Sequence, residues 1–144
     1  DRFLMRIELG YPGRIGEKHL LQRGDTKRLL ANLQPCLKNG EVIRIQRKIQ
    51  QVHVSEALVE YVQDILEFTR QTSHFVVGLS PRAGIALLQA TRSRAYLVGR
   101  DHALPEDVQY VMPWVIGHRL RTTDNYTEMP REKLMALMLK VPIP

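Results

Sequence analysis

The sequence predicts a mainly α-helical protein, a small helical bundle preceded by one orphan β-strand. Apolar residues recur at spacings of three and four from residue 41 onward, as they do in helices that bury one face. Helix punctuation falls between these runs, with Ser80-Pro81 and Pro105-Glu106-Asp107 as starts and Gly99 as a stop. Only Phe3 to Leu9 alternates with period two, the spacing of a strand.

Each element follows from its residues. In Phe3–Leu9, Arg6 and Glu8 face one way and Met5, Ile7 and Leu9 the other, and Gly10-Tyr11-Pro12 ends the run. A lone strand has an unpaired edge and an apolar face that need partners, so its sheet is expected outside this sequence. Residues 16–23 and 26–33 carry apolar and basic residues at helical spacing, with Asp25 as a cap for the second run and Pro35 as its end. Residues 41–51 place Val42, Ile45 and Ile49 on one face of a short basic helix. Ser55 caps a helix of about four turns, with Ala57, Leu58, Tyr61, Val62, Ile65, Leu66 and Thr69 on its apolar face.

Ser80-Pro81-Arg82-Ala83-Gly84 opens the next helix, with serine as the cap and proline at the first helical position. The helix runs on through Ile85, Leu88, Ala95 and Val98 to a stop at Gly99. Pro105-Glu106-Asp107 opens another, its two acids complementing the positive end of the helix. Pro113 is expected to break or restart that helix before Trp114–Leu120, and a last helix runs from Pro130 to about Lys140. The organisation is therefore a strand fragment over 1–12, connecting helices over 13–50, and a helical domain over 51–144. No internal repeat occurs.

Composition narrows the function. The 144 residues are 44% hydrophobic and 25% charged, values of an ordinary globular domain. No stretch approaches the ~20 apolar residues of a membrane span, and no secretion signal is present. The single cysteine, Cys36, fits a reducing compartment, so a cytoplasmic protein is expected. The absence of a starting methionine, with the chain opening directly into a strand pattern, predicts a fragment or processed chain. Residues 1–50 hold 11 basic and 5 acidic residues, whereas residues 51–144 hold 10 of each. The basic residues lie along helical segments without interleaved aromatics, so a solvated or subunit-facing surface is favoured over a nucleic-acid footprint.

Most catalytic signatures are missing. There is no phosphate-cradling Gly-x-x-x-x-Gly-Lys-Ser/Thr loop, no apolar strand ending in paired acids for magnesium, and no metal-ligand spacing among His19, His53, His74, His102 and His118. Two arginines stand out. Arg82 lies in the first turn of its helix, where a guanidinium opposes the helix dipole unless an anion lies in front of it; the alternative is an ordinary exposed arginine. Arg2 stands at the loop-to-strand edge and is equally placed for a surface ion pair with Asp1.

Several motifs carry a resemblance. Asp1-Arg2-Phe3-Leu4-Met5-Arg6-Ile7 followed by Gly10-Tyr11-Pro12 resembles the last core strand of the MoxR family of AAA+ ATPases. Val52-His53-Val54-Ser55-Glu56-Ala57-Leu58, Gly78-Leu79-Ser80-Pro81-Arg82-Ala83-Gly84, Gly99-Arg100-Asp101, Pro105-Glu106-Asp107-Val108 and His118-Arg119-Leu120 resemble that family's C-terminal lid, in the same order. The final Val141-Pro142-Ile143-Pro144 is similar to its usual ending, and residues 35–50 are the least family-like.

The resemblance implies a cytoplasmic ATPase that assembles as a ring, commonly a hexamer, with this chain as the last core strand plus the AAA+ lid. It implies ATP and Mg2+ as cofactors of the full-length protein. Arg82 falls on the family's sensor-2 arginine, facing the γ-phosphate of ATP, and Arg2 on a finger reaching a neighbouring subunit's site. Chaperone-like remodelling or maturation of protein complexes, including metal cofactor insertion, is implied beside von Willebrand factor A-domain partners. The phosphate-binding loop and magnesium-binding acids are absent, so no ATP hydrolysis is expected from this chain alone. Two other readings stand beside this one: a free-standing helical module for a polyanion or protein partner, and the lid of a magnesium-chelatase-like ATPase. Residues 1–12, if folded without their sheet, are expected to be disordered, domain-swapped or paired with another copy.

Overall fold

A computed structural model describes residues 3–23, 30–38 and 40–143. Among these the chain forms α1 (Arg14–Arg23), α2 (Glu41–Gln50), α3 (Glu56–Gln71), α4 (Pro81–Leu97), α5 (Pro105–Ile116) and α6 (Arg131–Met138), with a 3-10 turn at Gly117–Arg119 after α5. The expected helical bundle is what the residues build. Asp25 and residues 26–29 of the second run lie outside the described residues.

The bundle is centred on α4 and α5, with α3 against both, α2 against α4 and α6 against α5. Leu58, Tyr61, Val62 and Ile65 from α3, Leu87 from α4, Val108, Met112, Val115 and Ile116 from α5, and Leu134 and Met138 from α6 are all buried. Fully burying each such aliphatic side chain contributes on the order of 1.5–3 kcal/mol. The buried face of α4 is Ala83, Gly84, Ala86, Leu87, Ala90, Thr91 and Ala95, a stripe of mostly small side chains that brings its neighbours close. The bulkier residues of this helix lie off that stripe: Ile85 is 67% exposed, and Leu88 is only half-buried. Bulk marks the wrong face because close helix packing selects small residues.

Pro113 does not break α5. The helix passes through it to Ile116 and only then tightens into the 3-10 turn. On α2, Ile45 and Ile49 are half-buried while Val42 is 49% exposed. The described side chains of α1 are exposed.

Two single bridges tie the loops together. The His53 amide donates to the Asp101 carbonyl at 2.8 Å, and the Ala103 amide to the His53 carbonyl at 2.9 Å, which pins the entry to α3 beside the entry to α5. Phe75 and Thr122 pair in the antiparallel sense.

Residues 3–9 form no strand ladder, because no sheet is available to them within the described residues. The segment lies along the end of α5: the Arg6 amide donates to the Trp114 carbonyl at 2.9 Å, and Met5 packs half-buried against the core. Residues 3–6 are therefore tied to the helical bundle.

Candidate functional site

The Ser80–Arg82 corner is seated by the end of α3. The Leu79 amide donates to the Thr69 hydroxyl oxygen at 3.0 Å, Arg70 Nε donates to the Leu79 carbonyl at 2.9 Å, and the Thr69 hydroxyl donates onward to the Leu66 carbonyl at 2.7 Å. Gly78 passes so close to α3 that a Cβ there would meet Arg70 Cα at 2.6 Å, and a Cβ on Gly84 would meet Leu66 Cδ1 at 2.8 Å. Gly78 is required by this close approach to helix backbone, whereas at Gly84 the obstacle is the mobile tip of the Leu66 side chain.

Ser80 caps α4 as its position predicts, its Oγ accepting from the Ala83 amide at 3.3 Å, and Pro81 follows at the first helical position. Arg82 is exposed. It makes no hydrogen bond or ion pair with any described residue. The first turn of α4 holds no acid, whereas α1, α2, α3, α5 and α6 each carry at least one there. The positive end of α4 and the Arg82 guanidinium thus add together at one exposed corner, an arrangement that attracts an anion.

Beside this corner lies a cavity of about 370 Å³, lined by Val77, Gly78, Leu79, Ser80, His118, Arg119 and Arg121. Arg119 crosses from the 3-10 turn to two backbones. Nη1 donates to the Val115 carbonyl, and Nη2 to the Phe3 carbonyl at 2.7 Å. Burial holds its pKa below the ordinary guanidinium value. Arg121 Nη1 donates to the His118 and Leu120 carbonyls. Its Nη2 lies 3.3 Å from Glu128, which also accepts from Arg6 Nη1 at 2.7 and 2.8 Å. The ring nitrogens of His118 are buried. Burial first, then the Arg119 charge, hold its pKa below the usual imidazole value.

A second ion pair supports the far end of α4. Arg100 grips Asp107 with two hydrogen bonds of 2.7 Å, and the other contact of Asp107 is the Leu104 amide at 2.9 Å. The hydrogen bond to Asp107 raises the Arg100 pKa.

Of the residues singled out in the sequence, the structure places Arg82 as described, while Arg2 lies outside the described residues. Arg6, Arg119 and Arg121 carry no functional signal of their own in the sequence; the motifs Gly78-Leu79-Ser80-Pro81-Arg82-Ala83-Gly84 and His118-Arg119-Leu120 each contribute residues to the cavity wall. Among the described residues no three His, Cys, Asp or Glu side chains converge as a metal site, and no helix is long and apolar enough to cross a membrane.

The AAA lid domain family matches residues 67–136. The chain is 34% identical over 120 residues to the uncharacterized protein YeaC of Bacillus subtilis, covering 83% of this chain and 38% of that protein. It is 35% identical over 133 residues to the chaperone MoxR1 of Mycobacterium tuberculosis (85% of this chain, 34% of that one). To the protein MoxR of Paracoccus denitrificans it is 30% identical over 168 residues (100% and 49%). The chain thus spans between about a third and a half of the length of these relatives. The crystal structure of an ATPase candidate from Cytophaga hutchinsonii shares its fold with a TM-score of 0.82 at 24% identity, over 98% of this chain and 46% of that one. The ordered motifs, the bundle and these likenesses agree: the chain belongs to the MoxR family of AAA+ ATPases and corresponds to its C-terminal, lid-bearing region.

Proposed function

We propose that this chain serves as the lid of a cytoplasmic, ring-forming ATPase, commonly a hexamer, in which Arg82 is the sensor-2 arginine that contacts the γ-phosphate of ATP. The observation that carries this reading is the state of Arg82 itself. It is an exposed guanidinium without a described partner, in a helix turn free of acids, on a backbone fixed by Gly78 against Arg70. An arginine so placed supplies charge-assisted hydrogen bonds to a phosphate at little cost in reorganisation.

Arg2, in this reading, is the finger that reaches a neighbouring subunit's nucleotide and stabilises the charge of phosphoryl transfer. The described residues fit ATP on one side, through Arg82. They offer no ligand set for Mg2+, and no step through the metal is assigned to this chain. The work performed is remodelling or maturation of protein complexes, including metal cofactor insertion, with a von Willebrand factor A-domain protein as partner; the chaperone name of the mycobacterial relative supports the remodelling part.

The test is ATP turnover by the full-length gene product, wild type beside Arg82→Ala. Loss of one charge-assisted contact to the developing phosphate charge is expected to lower kcat by about 10²-fold. Stability is expected to change by no more than about 0.5 kcal/mol, as for a surface residue. Unchanged turnover in an assembled ring would overturn the assignment.

A further inference from the structure

The Arg119 side chain occupies an unusual position for a residue next to a candidate phosphate-facing corner. It borders the same cavity as Ser80, the cap of the Arg82 helix, and its guanidinium donates to main-chain carbonyls of two elements, Val115 in α5 and Phe3 at the front of the chain. Phe3 directly follows Arg2. We infer that Arg119 is a positioning residue, which ties the backbone carrying Arg2 to the lid so that the lid sets where the finger stands. The inference rests on the finger reading of Arg2 given above.

Three further contacts make the tie a dock. The Arg6 amide is held by the Trp114 carbonyl at 2.9 Å, the Arg6 guanidinium by Glu128, and Met5 by the core. All of them join the segment 3–6 to the end of α5 and the loop before α6. Arg119 is nearest in sequence terms to the finger, because its acceptor is the carbonyl of the adjacent residue. A guanidinium suits this role because its fixed fork can serve two carbonyls at once, which a lysine ammonium on a flexible stem cannot do with the same rigidity.

Mechanically, α4 and α5 pack along their length, and Arg82 stands at the start of α4. A displacement of α4 by the nucleotide therefore moves α5, and through Arg119 the backbone at Phe3. One subunit's response to its own nucleotide is in this way passed to the residue that serves its neighbour.

The experiment compares full-length wild type, Arg2→Ala, Arg119→Lys, Arg119→Ala and the double variant Arg2→Ala/Arg119→Lys, with ring assembly checked for each. Arg119→Lys keeps the charge and removes the fork. It is expected to lower kcat about fivefold or more while the KM for ATP stays within about twofold, since a misplaced finger affects the transition state and leaves ground-state binding intact. The double variant is expected to turn over no slower than Arg2→Ala alone. An impaired Arg2→Ala beside an unimpaired Arg119→Lys overturns the positioning role and leaves the finger reading standing. Single effects that multiply in the double variant also overturn it, because the two residues then act independently. A silent Arg2→Ala overturns the finger reading itself. If the Arg119 variants do not assemble, Glu128→Gln loosens the same dock at the surface, and an unchanged kcat there overturns the positioning role.

Discussion

Gly78 lies against Arg70 so closely that an added Cβ would sit 2.5 Å from Arg70 Cγ and 2.7 Å from its backbone nitrogen. The obstacle is helix backbone, which cannot swing aside as a side-chain tip can. Gly78→Ala is therefore expected to cost about 3 kcal/mol, the upper part of the range for overpacking, and to displace Leu79 and Ser80 from α3. Gly99 is the contrasting case: its φ is +82° and nothing surrounds its would-be Cβ, so Gly99→Ala is expected to cost only about 1 kcal/mol of backbone strain. Thermal unfolding of the two variants checks the order, and a Gly78→Ala protein as stable as Gly99→Ala would refute the close-contact account.

Glu106 and Asp107 are neighbours in sequence with different roles. Asp107 is 1% exposed, and it accepts from both the Arg100 fork and the Leu104 amide. The Glu106 carboxylate is largely exposed and reaches Arg100 only at 3.4 Å. Asp107→Ala is expected to destabilise, since it removes the buried carboxylate that holds the half-buried Arg100 guanidinium and also serves as the cap acceptor; the cap alone accounts for about 1 kcal/mol. Glu106→Ala is expected to stay within about 0.5 kcal/mol. Denaturant unfolding of both checks the difference.

Local chemistry makes most of the helices legible in the sequence alone. The Ser80-Pro81 start, the Ser55 cap and the Gly99 stop depend on residues adjacent in the chain, and all appear as read. What the sequence conceals depends on residues far apart. The carbonyl of Phe3 meets Arg119 across 116 positions, and nothing in the spacing of either announces the pair. Ile85 reads as core when hydrophobicity is equated with burial, whereas the α4 interface selects alanine and glycine for closeness. Pro113 reads as a breaker, yet α5 continues through it to Ile116. Arg82 is legible as a candidate because its conflict with the helix dipole is local. Arg119, which serves no local conflict, is legible only as part of a motif.

His118 gives a pH dependence. In the unfolded chain it titrates near its ordinary value of about 6.5. In the folded chain burial and the neighbouring Arg119 charge lower that value, with Arg6 adding to the effect and the Trp114 backbone and Glu128 opposing it. Lowering the pH through about 6.5 therefore protonates the unfolded chain before the folded one, and the stability held above that pH is progressively lost. The melting temperature is expected to fall between pH 7 and pH 5 by a larger amount in wild type than in His118→Gln. Parallel pH profiles for the two proteins would remove His118 from the account.

The front segment can be tested with a protease. Leu9 is 95% and Tyr11 100% exposed, whereas Met5 is half-buried, and residues 3 and 6 are bonded to Arg119, Trp114 and Glu128. Proteases need several consecutive residues of freely extended backbone, so docking protects a segment even where its side chains are accessible. Chymotrypsin, which does not cut the Tyr11–Pro12 bond, is expected to cut after Leu9 well before it cuts after Phe3 or Leu4. Glu128→Gln removes the carboxylate that holds the Arg6 guanidinium, and it is expected to speed the slow cuts while leaving the Leu9 cut unchanged. Equal rates at all three sites in wild type would show that the dock does not form, and the coupling argued for Arg119 would lose its physical basis.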